Sequence, residues 1–153
     1  MAVHNLNKTP VVPSDVFGWE VNTDVGYGRE TFTITTAAAI AVGEVLVADY
    51  AAKTAVRVGA LANAAAVAAL GNLVIFVGRD LTNNPATAQD FDRLTMTATG
   101  KGVAITRGDG RGTLYKKHLM FGDVAFYDLP ADVQSALVAK FTTENRFKVL
   151  DQV

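Results

Sequence analysis

The sequence predicts a mainly β fold: a β-rich α+β chain in which a small β-sandwich or barrel carries one late helix and follows an extended N-terminal arm. Three observations predict it. Several stretches alternate apolar and polar residues with the period of two that marks half-buried strands. Glycine-containing turns separate those stretches. A longer helical pattern, with apolar residues four apart at Val133, Leu137 and Phe141, comes only near the C-terminus.

The chain has 153 residues, which suits one domain with a substantial core. It is 50% hydrophobic and only 19% charged, with alanine and valine supplying much of the apolar excess. Small side chains let subunits approach closely, so part of that excess is expected to be buried against other chains. The formal charge of −1 argues against nucleic acid as a partner, because phosphate binding needs clustered Lys and Arg. Without cysteine there are no disulfides and no thiolate metal sites. The first residues, MAVHNLNKTPVVPSDV, lack the basic segment and apolar run of a secretory signal. No stretch approaches the roughly 20 apolar residues of a membrane-spanning helix. The expectation is a protein made in a cytoplasm, with no membrane partner.

Residues 1–29 carry no sustained period. Pro10 and Pro13 block regular hydrogen bonding, while Gly18, Gly26 and Gly28 loosen the backbone. Yet the only tryptophan, Trp19, lies here, with Val11, Val12, Phe17 and Tyr27 close by. That composition predicts an extended arm, ordering on a partner surface, ahead of a β-rich domain over 30–153.

From Glu30 to Thr36 the alternation places Phe32 and Ile34 on one face of a strand. Gly43 then opens a hairpin: Glu44 to Ala48 runs out, Asp49 to Lys53 turns, and Thr54 to Val58 returns. Ala62 to Leu70 is predicted as a short helix, with Asn63 as N-cap and Gly71 past its end. Its all-apolar surface should be buried or pack on a neighbour. Asn72 to Val77 is too apolar to alternate and reads as a central strand covered on both faces.

Gly78 to Asp90 is expected to be a loop. Phe91 to Thr97 and Val103 to Thr106 read as a second hairpin about a Gly100-Lys-Gly102 turn. Arg107 to Gly112, with three glycines, reads as a loop. Thr113 to Phe126 gives one or two short strands broken at Gly122-Asp123. Asp128-Leu-Pro-Ala-Asp132 suits a helix start, because proline is tolerated in the first turn and acids favour the positive helix end. Arg146 to Leu150 should close the sheet as a last strand.

No stretch has the form of a catalytic or metal site. His4 lies in the arm, and His118 follows Lys116-Lys117 with no nucleophile or acid in pattern. Asp90 and Asp92 share a strand face but are followed by Arg93, and with Asp80 they match no calcium loop. Gly26-Tyr-Gly28 lacks the third glycine of a dinucleotide fingerprint. Gly108-Asp-Gly110-Arg-Gly112 has no lysine and no following helix, so it is not a phosphate loop. Arg107-Gly108-Asp109 spells an adhesion tripeptide, which three residues do often by chance. The chain therefore reads as a non-enzyme, without cofactor, catalytic residues or metal ligands.

The hairpin GEVLVADYAAKTAVRVG, then LGNLVIFVGRDLT, then DRLTMTATGKGVAIT, resembles the lambda-type head decoration proteins of tailed bacteriophages. The match spans roughly residues 30–153 as a pattern of elements: strand pair, apolar strand ending near Asp80, second hairpin, helix after Leu129-Pro130, apolar C-terminal strand. Two departures are the greater length and the alanine-rich insert at 61–70, which would suit a variant subfamily or a head-fibre protein. The resemblance implies a β-tulip-like fold and a trimeric cement protein on the capsid surface of the virion, made in the host cytoplasm. It implies that an arm of each subunit adds to a strand of the major capsid protein, and that three arms on one body bind with avidity.

On that reading the capsid-binding arm residues are Val11, Val12, Phe17, Trp19 and Val21, with Phe32 and Ile34 continuing the strand. Ala65, Val67 and Leu70 are the expected homotrimer packing positions. The competing expectation is a head-fibre or host-attachment module presenting the Arg107–Gly112 loop to a receptor, and a third is a barrel that encloses a small ligand.

Overall fold

The computed structural model describes residues 11–19, 28–80, 94–97 and 99–151. In chain order, helix α1 (Pro13–Val16) runs into β1 (Phe17–Trp19), followed by β2 (Arg29–Thr35), β3 (Ile40–Ala41), β4 (Val45–Asp49) and β5 (Thr54–Arg57). Next come α2 (Ala64–Ala68), β6 (Asn72–Arg79), β7 (Thr95–Met96), β8 (Gly100–Ile105) and β9 (Thr113–Tyr115). The hairpin β10 (Met120–Phe121) and β11 (Val124–Ala125), a single 3-10 turn (Phe126–Asp128), α3 (Ala131–Thr143) and β12 (Lys148–Leu150) complete it. The fold is mainly β, and α3 is its one helix longer than two turns among the described residues.

Five strands close a barrel in the order β2-β5-β4-β6-β8. All its pairings are antiparallel except β2 with β5. Closure leaves no free sheet edge on this unit. Phe32 and Ile34 from β2, Leu46 from β4, Val74 and Phe76 from β6 and Ala104 from β8 fill the interior. All six are fully buried. The barrel is therefore a packed core with no ligand chamber.

A second core lies against the outer face of β4, β6 and β8. Val45, Leu73, Ile75, Val77 and Ile105 meet Val133, Leu137 and Phe141 of α3, together with Phe121, Phe126 and Phe147. The uninterrupted apolar run of β6 follows from this. Val74 and Phe76 point into the barrel, while Leu73, Ile75 and Val77 point into the second core. In α3 the i, i+4, i+8 spacing puts Val133, Leu137 and Phe141 on the covered face. The Asn63 cap expected for α2 is present, its side chain accepting from Ala66 N–H at 3.0 Å.

Three expectations need correction. The Gly100-Lys-Gly102 segment is not a turn: it forms the first half of β8, with Gly102 opposite Phe32 on one side and Arg79 on the other. A Cβ on Gly102 would run into Ile34 Cδ1 and approach Met96 Sδ and Phe76 Cε2, both to 3.0 Å. The glycine thus serves close packing inside the barrel. The strand expected to pair with β8, at its described residues Thr95–Met96, pairs with Ile40–Ala41 of β3 instead. Phe91, Asp92 and Arg93 lie outside the described residues. Finally, β12 does not close the main sheet, because the barrel already has no edge. It pairs in parallel with β9 in a small sheet ordered β1-β9-β12.

The N-terminal stretch differs most. From Val11 to Trp19 it is docked on the body and does not extend away from it. The Val12 N–H donates to Asp15 Oδ2 at 3.0 Å, and Asp15 N–H to Val12 O at 2.9 Å, which folds the α1 turn. Val16 and Phe17 are buried in the second core, Phe17 packing on Phe147 with ring centroids 6.0 Å apart. β1 pairs antiparallel with β9. The division at residue 29 therefore cuts through the folded unit, and residues 1–10 and 20–27 lie outside the described residues.

Candidate functional site

The residues expected to carry capsid binding do not come together as one exposed strip. Phe32 and Ile34 are barrel core, and β2 is paired on both sides, with β5 and β8. They cannot add a strand to a partner, and that expectation is corrected. Phe17 is likewise committed to its own core. Val11 and Val12 are half-buried, and Val11 packs against the second core. The Trp19 backbone pairs with Thr113. Val21 lies outside the described residues.

Of the expected packing positions, Val67 is 2% exposed and belongs to the second core, so it is a correction too. Leu70 is half-buried against that core, and Ala65 is exposed. One alanine-lined groove of about 430 Å³ remains at the surface between α2 and α3. Ala64, Ala68, Ala136 and Ala139 form its small-residue walls. Lys140 flanks it, its Nζ donating to Leu70 O at 3.3 Å and pairing with Glu144 at 2.6 Å.

The Arg107–Gly112 loop is braced against the body. Gly108 is buried, and its N–H donates to Asn145 O at 2.8 Å. Gly110 N–H donates to Arg146 O, and Gly112 N–H closes back on Gly108 O, each at 2.7 Å. Asp109, at φ 49°, and Arg146, at φ 57°, both take the left-handed conformation that such tight apposition requires. An adhesion tripeptide needs its residues held out together on a tip, and here the central glycine is inside.

Beside this loop, one end of the barrel opens into a cavity of about 380 Å³. Register places the ends of five strands here: the starts of β2, β5 and β6 and the finishes of β4 and β8. They deliver Glu30, Tyr50, Asn72, Thr106 and Arg107, while the end of α3 brings Glu144 and Asn145 over them. Tyr50 stacks at a tilt on the core residue Phe32, centroids 5.8 Å apart. Burial, reinforced by the Glu30 charge, pushes its hydroxyl above the usual tyrosine value. Glu30 pairs with Lys53 Nζ at 3.0 Å. Asn145 is buried, its Nδ2 donating to Leu73 O at 2.7 Å and Thr106 O at 2.9 Å, and its Oδ1 has no partner. No local motif announces this cluster, since its residues come from positions 30 to 145. The only sequence sign was the loop at 107–112 beside it.

A third polar group joins the barrel to the β10–β11 hairpin. Glu44, 4% exposed, accepts from Arg57 Nε at 2.9 Å, and Arg57 Nη2 reaches Asp123 Oδ1 at 3.0 Å. Burial pushes the Glu44 carboxyl above its ordinary value, and the hydrogen bond and charge of Arg57 offset only part of this. The same pairing raises Arg57 further, through its hydrogen bonds to Glu44 and then Asp123. Both directions agree with a pair that holds charge on the more exposed arginine while the carboxylate pays for its burial.

Among the described residues, no three His, Asp or Glu side chains converge as a metal site, and no helix is long and apolar enough to cross a membrane. His4, Asp90 and Asp92 lie outside them. No family model, curated protein or solved structure matches the chain.

Proposed function

We propose that the protein is a structural component of a tailed-phage head: a decoration protein that binds the outer surface of the expanded shell as a homotrimer and stabilises it. Its partners are the major capsid protein and two further copies of itself, and it acts on the virion surface after synthesis in the host cytoplasm. It needs no cofactor for this and carries out no reaction.

The observation that supports this reading best is the solid barrel. Phe32, Ile34, Leu46, Val74 and Phe76 leave no room inside it, so it serves as a rigid body whose work is done on its outside. The alanine-lined groove between α2 and α3 suits close approach of a second copy, with Ala65 beside it and Val67 supporting it from within. Capsid contact then falls to Val11, Val12, Trp19 and Val21, with the ten residues before Val11, because Phe17, Phe32 and Ile34 are spent on the protein's own core.

The test uses the full chain and a chain lacking residues 1–10, each mixed with expanded capsids. Native mass measurement is expected to give a trimer for both. Co-sedimentation with shells is expected for the full chain and not for the truncation. A monomer at every concentration sinks the trimer, and equal binding by the truncation sinks the assignment of the contact.

A further inference from the structure

We infer that the cavity at the open barrel end is a binding site for a neutral, hydroxyl-rich ligand, a saccharide of one or two pyranose rings. This goes beyond the decoration role and does not rest on it. The cavity, about 380 Å³, lies in the size range of small-molecule sites, at the mouth of a barrel where such sites are common.

Its chemistry selects against a charged occupant. Glu30 is compensated by Lys53 at 3.0 Å and Glu144 by Lys140 at 2.6 Å, and Arg107 is itself engaged. Hydrogen-bonding capacity is therefore high while neither carboxylate calls for a counter-ion. The carboxylates accept, the Arg107 guanidinium donates, Asn72 does both, and the Thr106 hydroxyl, donating to Gly28 O at 3.2 Å, keeps only its acceptor side. Rings bearing hydroxyls in several directions use such a mixed set; a purely cationic or anionic ligand would leave half of it opposed.

Two features make the site preformed. Tyr50 offers a flat apolar face and a hydroxyl, and Phe32 behind it fixes the ring. A pyranose has one face of C–H groups that can lie on such a ring, with its hydroxyls turned to the rim. Asn145, 5% exposed, is pinned through Nδ2 to Leu73 O and Thr106 O, so its amide cannot rotate to serve its own Oδ1. Its Oδ1 has no partner and is closed to solvent, so the fixed amide is a rigid part of the wall.

Saturation-transfer NMR on the full chain tests this, with D-glucose, D-galactose, N-acetylglucosamine and maltose as probes, and glucosamine and glucuronic acid as charged counterparts. Transfer is expected from at least one neutral sugar, with millimolar affinity, and weaker transfer from its charged counterparts. Tyr50→Ala should weaken binding about tenfold, as should Asn72→Ala, whose exposed side chain can be removed without touching the core. No transfer from any of the four neutral sugars overturns the inference. So does a preference for the charged probes, or binding that neither substitution changes. Capsid binding and oligomeric state do not enter these measurements, so failure here is distinct from failure of the decoration reading.

Discussion

Glu44 shows how a single buried group sets a pH dependence. Its carboxylate sits at the start of β4 with Arg57 at 2.9 Å, and Arg57 keeps a second carboxylate, Asp123, at 3.0 Å. Burial raises the folded-state value of Glu44 above its unfolded one, so the native state holds this proton more tightly than the unfolded chain does. The sign follows: the stabilising contribution is complete below the unfolded value of about 4.3 and is lost as pH rises through the folded value. At neutral pH the ionised carboxylate is a cost that the arginine offsets only in part. Glu44→Gln should therefore be within about 1 kcal/mol of wild type, or more stable, at pH 7. Chemical denaturation from pH 4 to 8 should also show a flatter stability profile for the variant. A loss above about 2 kcal/mol at pH 7 would mean that the ion pair outweighs the burial.

At the scale of elements, α3 is held by one stripe. Val133, Leu137 and Phe141 are all fully buried against the strands of the second core. Leu137, at the centre, should cost about 2–5 kcal/mol when cut to alanine, read as a lower denaturant midpoint with unchanged slope. A loss under about 1 kcal/mol would show that the helix rides loosely on the barrel. The spacing of those three residues made α3 legible in the sequence, as the double-faced burial of Leu73 to Val77 did for β6. Both patterns are local consequences of what covers the element. The role of Gly102 is not legible, because a glycine carries no sign of why it is small: a turn and a crowded interior ask for the same residue. Phe32 and Ile34 were placed correctly on one strand face, but the alternation could not say whether that face met a partner or the protein's own barrel. The cavity was illegible for a different reason. Its walls come from strand ends brought together by closure, and closure is a property of the register of five strands, not of any one of them.

For the whole molecule, the question is where the folded body begins. Composition put it at Glu30, since two prolines and three glycines precede any regular period. The described contacts carry it back at least to Val11. β9 carries β1 on one side and β12 on the other, so the N- and C-terminal ends of the fold share a strand. Removing α1 and β1 would strip one edge from Leu114 and leave Phe147 without Phe17, and it would empty the place filled by Val16. Loss of one buried phenylalanine alone costs about 3–5 kcal/mol. In a domain of this size each kcal/mol moves the melting temperature by about 2–4 °C. A chain lacking residues 1–19 should thus melt at least roughly 6–12 °C below the full chain, or lose its cooperative transition. A chain lacking residues 1–10 keeps every described contact and should melt above the chain lacking residues 1–19. Phe17→Ala in the full chain should reproduce most of the larger loss, because it removes the same contact without shortening the chain. Equal melting temperatures for the two truncations would return Val11–Trp19 to the status of a detachable arm, and with it the strand-addition role that its buried side chains now argue against.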